Sequence, residues 1–172
     1  VGHTVRATYL YTPLAEIAAI TQDTNYIKAS DRLWEDAVYK KTYLTGHIGT
    51  YRDHEDFGEA FELPNLGCWN ETCASIGSVY WNQQLFSLHR DAKYSDMLER
   101  FLYNGVMSGV SLDGSKYFYQ NPLKTYGGFE RQPWFGPNWR TRSFWSALPV
   151  KRRPPISRKP RNGSPAGGHA YW

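Results

Sequence analysis

Asp91-Ala92-Lys93-Tyr94-Ser95-Asp96-Met97-Leu98-Glu99-Arg100-Phe101-Leu102 is the stretch from which the fold class follows. Tyr94, Met97, Leu98, Phe101 and Leu102 fall at i, i+3, i+4, i+7 and i+8, one face of a helix, and Asp91 stands where an N-cap belongs. The same period upstream predicts three more helices. One starts near Asn70, a good cap, and runs to about Leu88. Another spans about Asn25 to Tyr43, with Tyr26, Leu33 and Ala37 beside Ile27, Trp34 and Val38. The first runs from about His3 to Ile20, and Pro13 inside it is expected to kink it, because an interior proline loses a hydrogen bond and costs about 3 kcal/mol. Thr21-Gln22-Asp23-Thr24 is a connector short enough to join antiparallel neighbours. After Asn104, Val110 to Tyr119 reads as a hairpin around Asp113-Gly114. Helical hairpins with one small β element exclude doubly wound and sandwich patterns. They point to a mainly α protein, a toroid or bundle.

The 172 residues are enough for one domain with a real core. No apolar run is long enough to span a bilayer. The chain opens at Val1, in what already reads as helix, so an N-terminal region is expected to be missing. Cys68 and Cys73 do not make a disulfide framework in a chain of this size, and a reduced, cytoplasmic compartment or a metal role fits them better.

The net charge of +4 conceals two unlike segments. Residues 137–172 hold 8 basic residues, six of the ten prolines and no acid, which leaves 12 basic and 16 acidic residues in 1–136. The tail is expected to be disordered. With Trp139, Phe144, Trp145 and Tyr171 among its charges it could bind nucleic acid, a weak alternative, since such tails are more often plain disordered chain.

Acids are densest in Glu55-Asp56-Phe57-Gly58-Glu59-Ala60-Phe61-Glu62, within a loop from Thr45 to Asn70 that is long for a mere connection. They could supply a general acid or base, or simply a solvated acidic loop. Glu71 and Cys73 are a borderline ligand pair. Positions i and i+2 of a helix point about 200° apart, so the two could share a metal only at an irregular first turn. Otherwise they are an acid at a helix start and a small buried thiol. His3 alone reads as a packing residue and Glu99 as a surface charge.

Ordered matches along the chain change those odds. Val1-Gly2-His3-Thr4-Val5-Arg6-Ala7, Tyr43-Leu44-Thr45-Gly46, the run from Glu55 to Asn65, Glu71-Thr72-Cys73-Ala74-Ser75, Leu98-Glu99-Arg100, Tyr103-Asn104-Gly105, the stretch from Ser108 to Gly114, Tyr117 to Leu123 and Trp134-Phe135-Gly136 together resemble the β-L-arabinofuranosidase family of glycoside hydrolases. The resemblance covers residues 1–136, which it identifies as part of an (α/α)6 barrel, with 137–172 as a separate tail. It implies a retaining hydrolase with zinc and a zinc-bound cysteine nucleophile, acting on arabinose-containing oligosaccharides or glycoconjugates of plant origin. It places the general acid/base at Glu55, two zinc ligands at Glu71 and Cys73, and substrate-binding groups at His3, Glu99 and Tyr119.

The sequence also departs from that pattern. The family carries adjacent cysteines after Trp-Phe-Gly, one of them the nucleophile; here Pro137-Asn138 follow Gly136 directly. His47 stands where the family generally has glycine. As written, the chain is expected to be catalytically incomplete, or a sugar-binding remnant. The acid-free tail has the composition of an out-of-frame translation of a GC-rich gene. Reading the coding DNA in all frames beyond the codon for Trp134 is therefore expected to recover adjacent cysteines and a continuing helix. If no frame does so, the tail is genuine.

Overall fold

The computed structural model describes residues 2–124 apart from Arg52 and Lys116; the tail and Trp134-Phe135-Gly136 lie outside the described residues. Four α-helices carry the fold: α1 (Thr4–Thr21), α2 (Thr24–Lys41), α3 (Thr72–His89) and α4 (Ala92–Arg100). The last runs on into a π-helical turn, Phe101–Val106, and a 3-10 turn, Met107–Gly109. Asp23 and Asp91 cap α2 and α4 by accepting from the Asn25 and Lys93 N–H groups. α1 and α3 end on left-handed Gln22 and Arg90, whose N–H groups return to the Ala18 and Phe86 carbonyls. α1 continues through Pro13 as one helix, with the proline on its exposed side. There, water can reach the carbonyl left without a donor.

α3 is the hub. It packs against α1, α4 and the π turn, and α1 packs also against α2. Its first half is built from small residues, and Ala74, Ser75, Gly77 and Ser78 are all buried. A helix enclosed on several sides needs short side chains so that its neighbours can approach. Gly77 marks the closest approach: a Cβ there would stand 2.3 Å from Thr8 Oγ1 and 2.9 Å from Tyr9 Cδ2. Away from that end the core is larger-grained. Trp34 of α2 lies edge-on to Tyr94 of α4 with centroids 4.8 Å apart. Its Nε1 donates to Asn82 Oδ1 of α3 at 2.8 Å, so the buried amide is satisfied.

Two elements differ from the sequence reading. Asn70 does not cap α3; the helix starts at Thr72 with Glu71 in the cap position. Asn70 is buried in the left-handed region, φ 44°, where its N–H donates to the Gly49 carbonyl at 2.9 Å. The reversal at Asp113-Gly114 forms as expected, with Gly114 at φ 67°. It is closed by a single bridge between Val110 and Tyr117 rather than by a ladder.

The long connection between α2 and α3 is stitched to the helix starts by backbone hydrogen bonds. The Thr4 N–H donates to Glu55 and the Phe57 N–H to Gly2. Thr50 N–H donates to Asp56, and Trp69 N–H to Thr50. Thr72 N–H donates to Tyr119, and Asn121 N–H to Trp69. Five segments thus lie side by side, in the order 2–4, 55–57, 49–51, 69–72 and 118–121. Ile48, Phe57 and Cys68 are buried beneath them. Among the described residues no helix is long and apolar enough to cross a membrane. Leu10, Ile17 and Ile20 stand exposed along α1.

Gly77→Ala is expected to lower the free energy of unfolding by about 1–3 kcal/mol, since the overpacking at Thr8 outweighs alanine's better helix propensity. Gly2→Ala, where a Cβ meets nothing within 4 Å, serves as the neutral control in the same urea titration.

Candidate active site

The five-segment stitch gathers five of the candidate positions, His3, Glu55, Glu71, Cys73 and Tyr119, at the N-terminal ends of α1 and α3. His3 precedes α1 and is bridged antiparallel to Asp56. Glu55, one residue earlier on that partner segment, sits at φ 53°, a left-handed conformation uncommon for a residue with a side chain. Held there by the Thr4 N–H, it turns its carboxylate onto His3, with Nε2 and Oε2 2.7 Å apart. Both side chains remain partly open to solvent. Glu62, later in the acidic run, bonds locally. It accepts from Tyr51 OH and from the Glu59 N–H, which together hold its carboxyl below the usual range.

Glu71 is buried, 3% exposed, with extended backbone paired to Gln120. Trp69 Nε1 donates to its Oε2 at 3.1 Å, and the Tyr119 hydroxyl and Cys73 thiol also hydrogen-bond to its carboxylate. Because Glu71 lies outside the helix and Cys73 within its first turn, the two side chains meet. Regular helix geometry would have parted them.

The electrostatics of the pocket follow from burial next to carboxylates. Burial, then the Glu71 hydrogen bond and charge, then the Glu55 charge push the Cys73 thiol up to about 12. The same causes, in the same order, raise Tyr119. Burial and the nearby Cys73 raise Tyr9 and Tyr117. Glu55 contributes to raising both Cys73 and Tyr119, so the His3–Glu55 pair lies near the Glu71–Cys73 pair.

Glu99 is exposed on α4 and makes no hydrogen bond or ion pair among the described residues. Cys68 is fully buried, accepts from Asn70 Nδ2 and the Leu123 N–H, and is held protonated by burial. Both cysteines are free. Trp69 and Tyr9 were not legible as site residues. Trp69 lies two residues before Glu71, a signal visible only once Glu71 is known to be out of the helix. Tyr9 comes from another helix and reaches Cys73 because Gly77 lets α1 close in.

Among the described residues no group of three or more His, Cys, Asp or Glu side chains is arranged to hold a metal ion. Glu71 and Cys73 alone are two donors, and a closed zinc site takes four. As half of such a site they fit. The buried carboxylate and the partly buried thiol lie where burial and negative charge oppose the thiolate, and a cation between them would reverse that opposition.

With this geometry in hand, similarity to known proteins is informative. Residues 1–147 match the family described as the β-L-arabinofuranosidase, GH127 catalytic domain. The chain is 39% identical over 124 residues to the non-reducing end β-L-arabinofuranosidase of Bifidobacterium longum, covering 72% of this chain and 19% of that enzyme. It superposes on the crystal structure of a GH127 β-L-arabinofuranosidase from Geobacillus stearothermophilus with a TM-score of 0.74 at 42% identity, over 77% of this chain and 21% of that one. A second solved GH127 β-arabinofuranosidase gives a TM-score of 0.72 at 58% identity, over 78% and 21%. The chain therefore spans about a fifth of the length of these relatives.

At about pH 8 the Cys73 thiol is expected to react with a disulfide reagent far more slowly than an ordinary exposed cysteine, because its thiolate fraction is about 10⁻⁴. Glu71→Gln removes the charge that raises it and should speed the reaction; Cys73→Ser identifies the signal. Unhindered reaction of Cys73 in the unaltered chain would contradict the geometry.

Proposed function

Since the chain belongs to the GH127 β-L-arabinofuranosidase catalytic-domain family, we propose that residues 2–124 carry the acid/base side of a retaining β-L-arabinofuranosidase site acting on arabinofuranose-containing glycans. The observation that carries this reading is the His3–Glu55 pair at 2.7 Å, set beside the Glu71–Cys73 pair. Glu55 is the half-exposed carboxyl that can give a proton to the departing glycosidic oxygen and later take one from water. Glu71 and Cys73 would hold zinc, which when bound supplies the positive charge that ionises the thiol. Tyr119 and Glu99 offer hydrogen bonds to the furanose hydroxyls, and His3 acts near the sugar through its contact with Glu55; Glu99, with no partner among the described residues, is open to one.

The sequence has two cysteines, Cys68 and Cys73. Cys68 is sealed in the core, and no further thiol is available as nucleophile. On this reading the chain as given holds an arabinofuranoside without turning it over, and its free thiols accord with a reducing, cytoplasmic compartment.

The test is a graft. The chain alone, with zinc, should release no nitrophenol from a nitrophenyl β-L-arabinofuranoside. Residues 1–136 placed into the matching fifth of the Geobacillus enzyme should restore hydrolysis. Glu55→Gln in that graft should then lower kcat by about 10²–10⁴-fold. Activity that survives Glu55→Gln would sink the assignment.

A further inference from the structure

We infer that the start of α1 fixes the single proton of the His3 imidazole on Nε2, and so leaves Oε1 of Glu55 as the oxygen that gives and takes the catalytic proton. The inference rests on the reading of Glu55 as acid/base, and it specifies which atom works. His3 precedes α1, and its Nδ1 faces the Arg6 backbone N–H at 3.5 Å. A backbone N–H can only donate, so Nδ1 accepts and carries no hydrogen. The ring is then neutral with its proton on Nε2, which stands 2.7 Å from Glu55 Oε2.

Each alternative is worse at both ends or at one. The other tautomer sets N–H against N–H at Arg6 and a lone pair against a carboxylate lone pair at Glu55. An imidazolium keeps the Glu55 contact but repeats the N–H clash and adds a cation at the positive end of a helix. With Nε2–H already on Oε2, a hydrogen on that same oxygen would make it the poorer acceptor of the two. A proton on Glu55 therefore sits on Oε1. The two side chains cannot drift apart easily, because the Thr4 N–H, next to His3, holds the Glu55 carbonyl at 2.8 Å. His3 is thus a positioning residue for Glu55.

The tautomer is readable without substrate, in a long-range ¹H–¹⁵N spectrum of the five histidines of the full chain, with His3→Asn identifying the His3 signals. At mildly alkaline pH, Nδ1 should show the shift of an unprotonated nitrogen and Nε2 that of a protonated one. A protonated Nδ1, in either the other tautomer or the imidazolium, overturns the proposal. His3→Asn supplies the second arm, because asparagine can still cap α1 but does not reach Glu55. Its ¹³C spectrum should show the Glu55 carboxyl signal displaced while the thermal midpoint stays near that of the unaltered chain. An undisplaced carboxyl signal means that His3 does not hold Glu55, and the proposal fails. Loss of the acid/base reading through an active Glu55→Gln graft would leave the tautomer result standing, so the two failures are distinguishable.

Discussion

The backbone hydrogen bonds that tie residues 2–4, 55–57, 49–51, 69–72 and 118–121 side by side are the constraint from which the site follows. Each segment taken alone is irregular chain with polar groups to satisfy, and buried N–H and C=O groups must find partners somewhere. Here they find one another. The price is local conformations that side chains resist, Glu55 at φ 53° and Asn70 at φ 44°. These kinks turn Glu55 toward His3 and delay α3 to Thr72, so that Glu71 stays outside the helix. A regular loop or a helix begun two residues earlier would have scattered the same side chains.

Beneath the stitch, α3 brings the helix starts together. Gly77 lets Thr8 and Tyr9 of α1 approach where any side chain would stand between them. Gly105 does the same on the far side, where a Cβ would meet Ser75 Oγ at 2.5 Å. Small residues in a buried helix contribute little apolar area; what they permit is proximity, and proximity brings Tyr9 close enough to Cys73 that each opposes ionisation of the other. The pocket they create is electrostatically lopsided. Two carboxylates and a thiol lie together, and the thiol answers by holding its proton. On the function proposed for it, a cation held there would offset that negative charge and favour the thiolate.

The helices were legible because burial of one face imposes a period on the sequence, and Asp23 and Asp91 cap where short acceptors should. The helix ends were less so. Asn70 has the chemistry of a cap, but a left-handed residue that serves as a backbone splice cannot also start a helix. The reversal at Gly114 was visible in Asp113-Gly114, while its contraction to one bridge depended on Thr72 and Asn121 drawing residues 118–121 onto the stitch instead.

The sequence by itself determined the helical class, the family and the chemical types at the site, because periodicity, caps and motif order are local properties of the chain. That Glu55 is one carboxylate among several, and Glu71 one acid at a helix start, is all that local order can say of them. Only the tertiary structure decided that Glu55 meets His3, that Glu71 and Cys73 lie together, that Trp69 donates to Glu71 and that Glu99 is left without a partner among the described residues. These are matters of which distant backbones exchange hydrogen bonds and how closely two helices cross, and neither is written within any one stretch of residues.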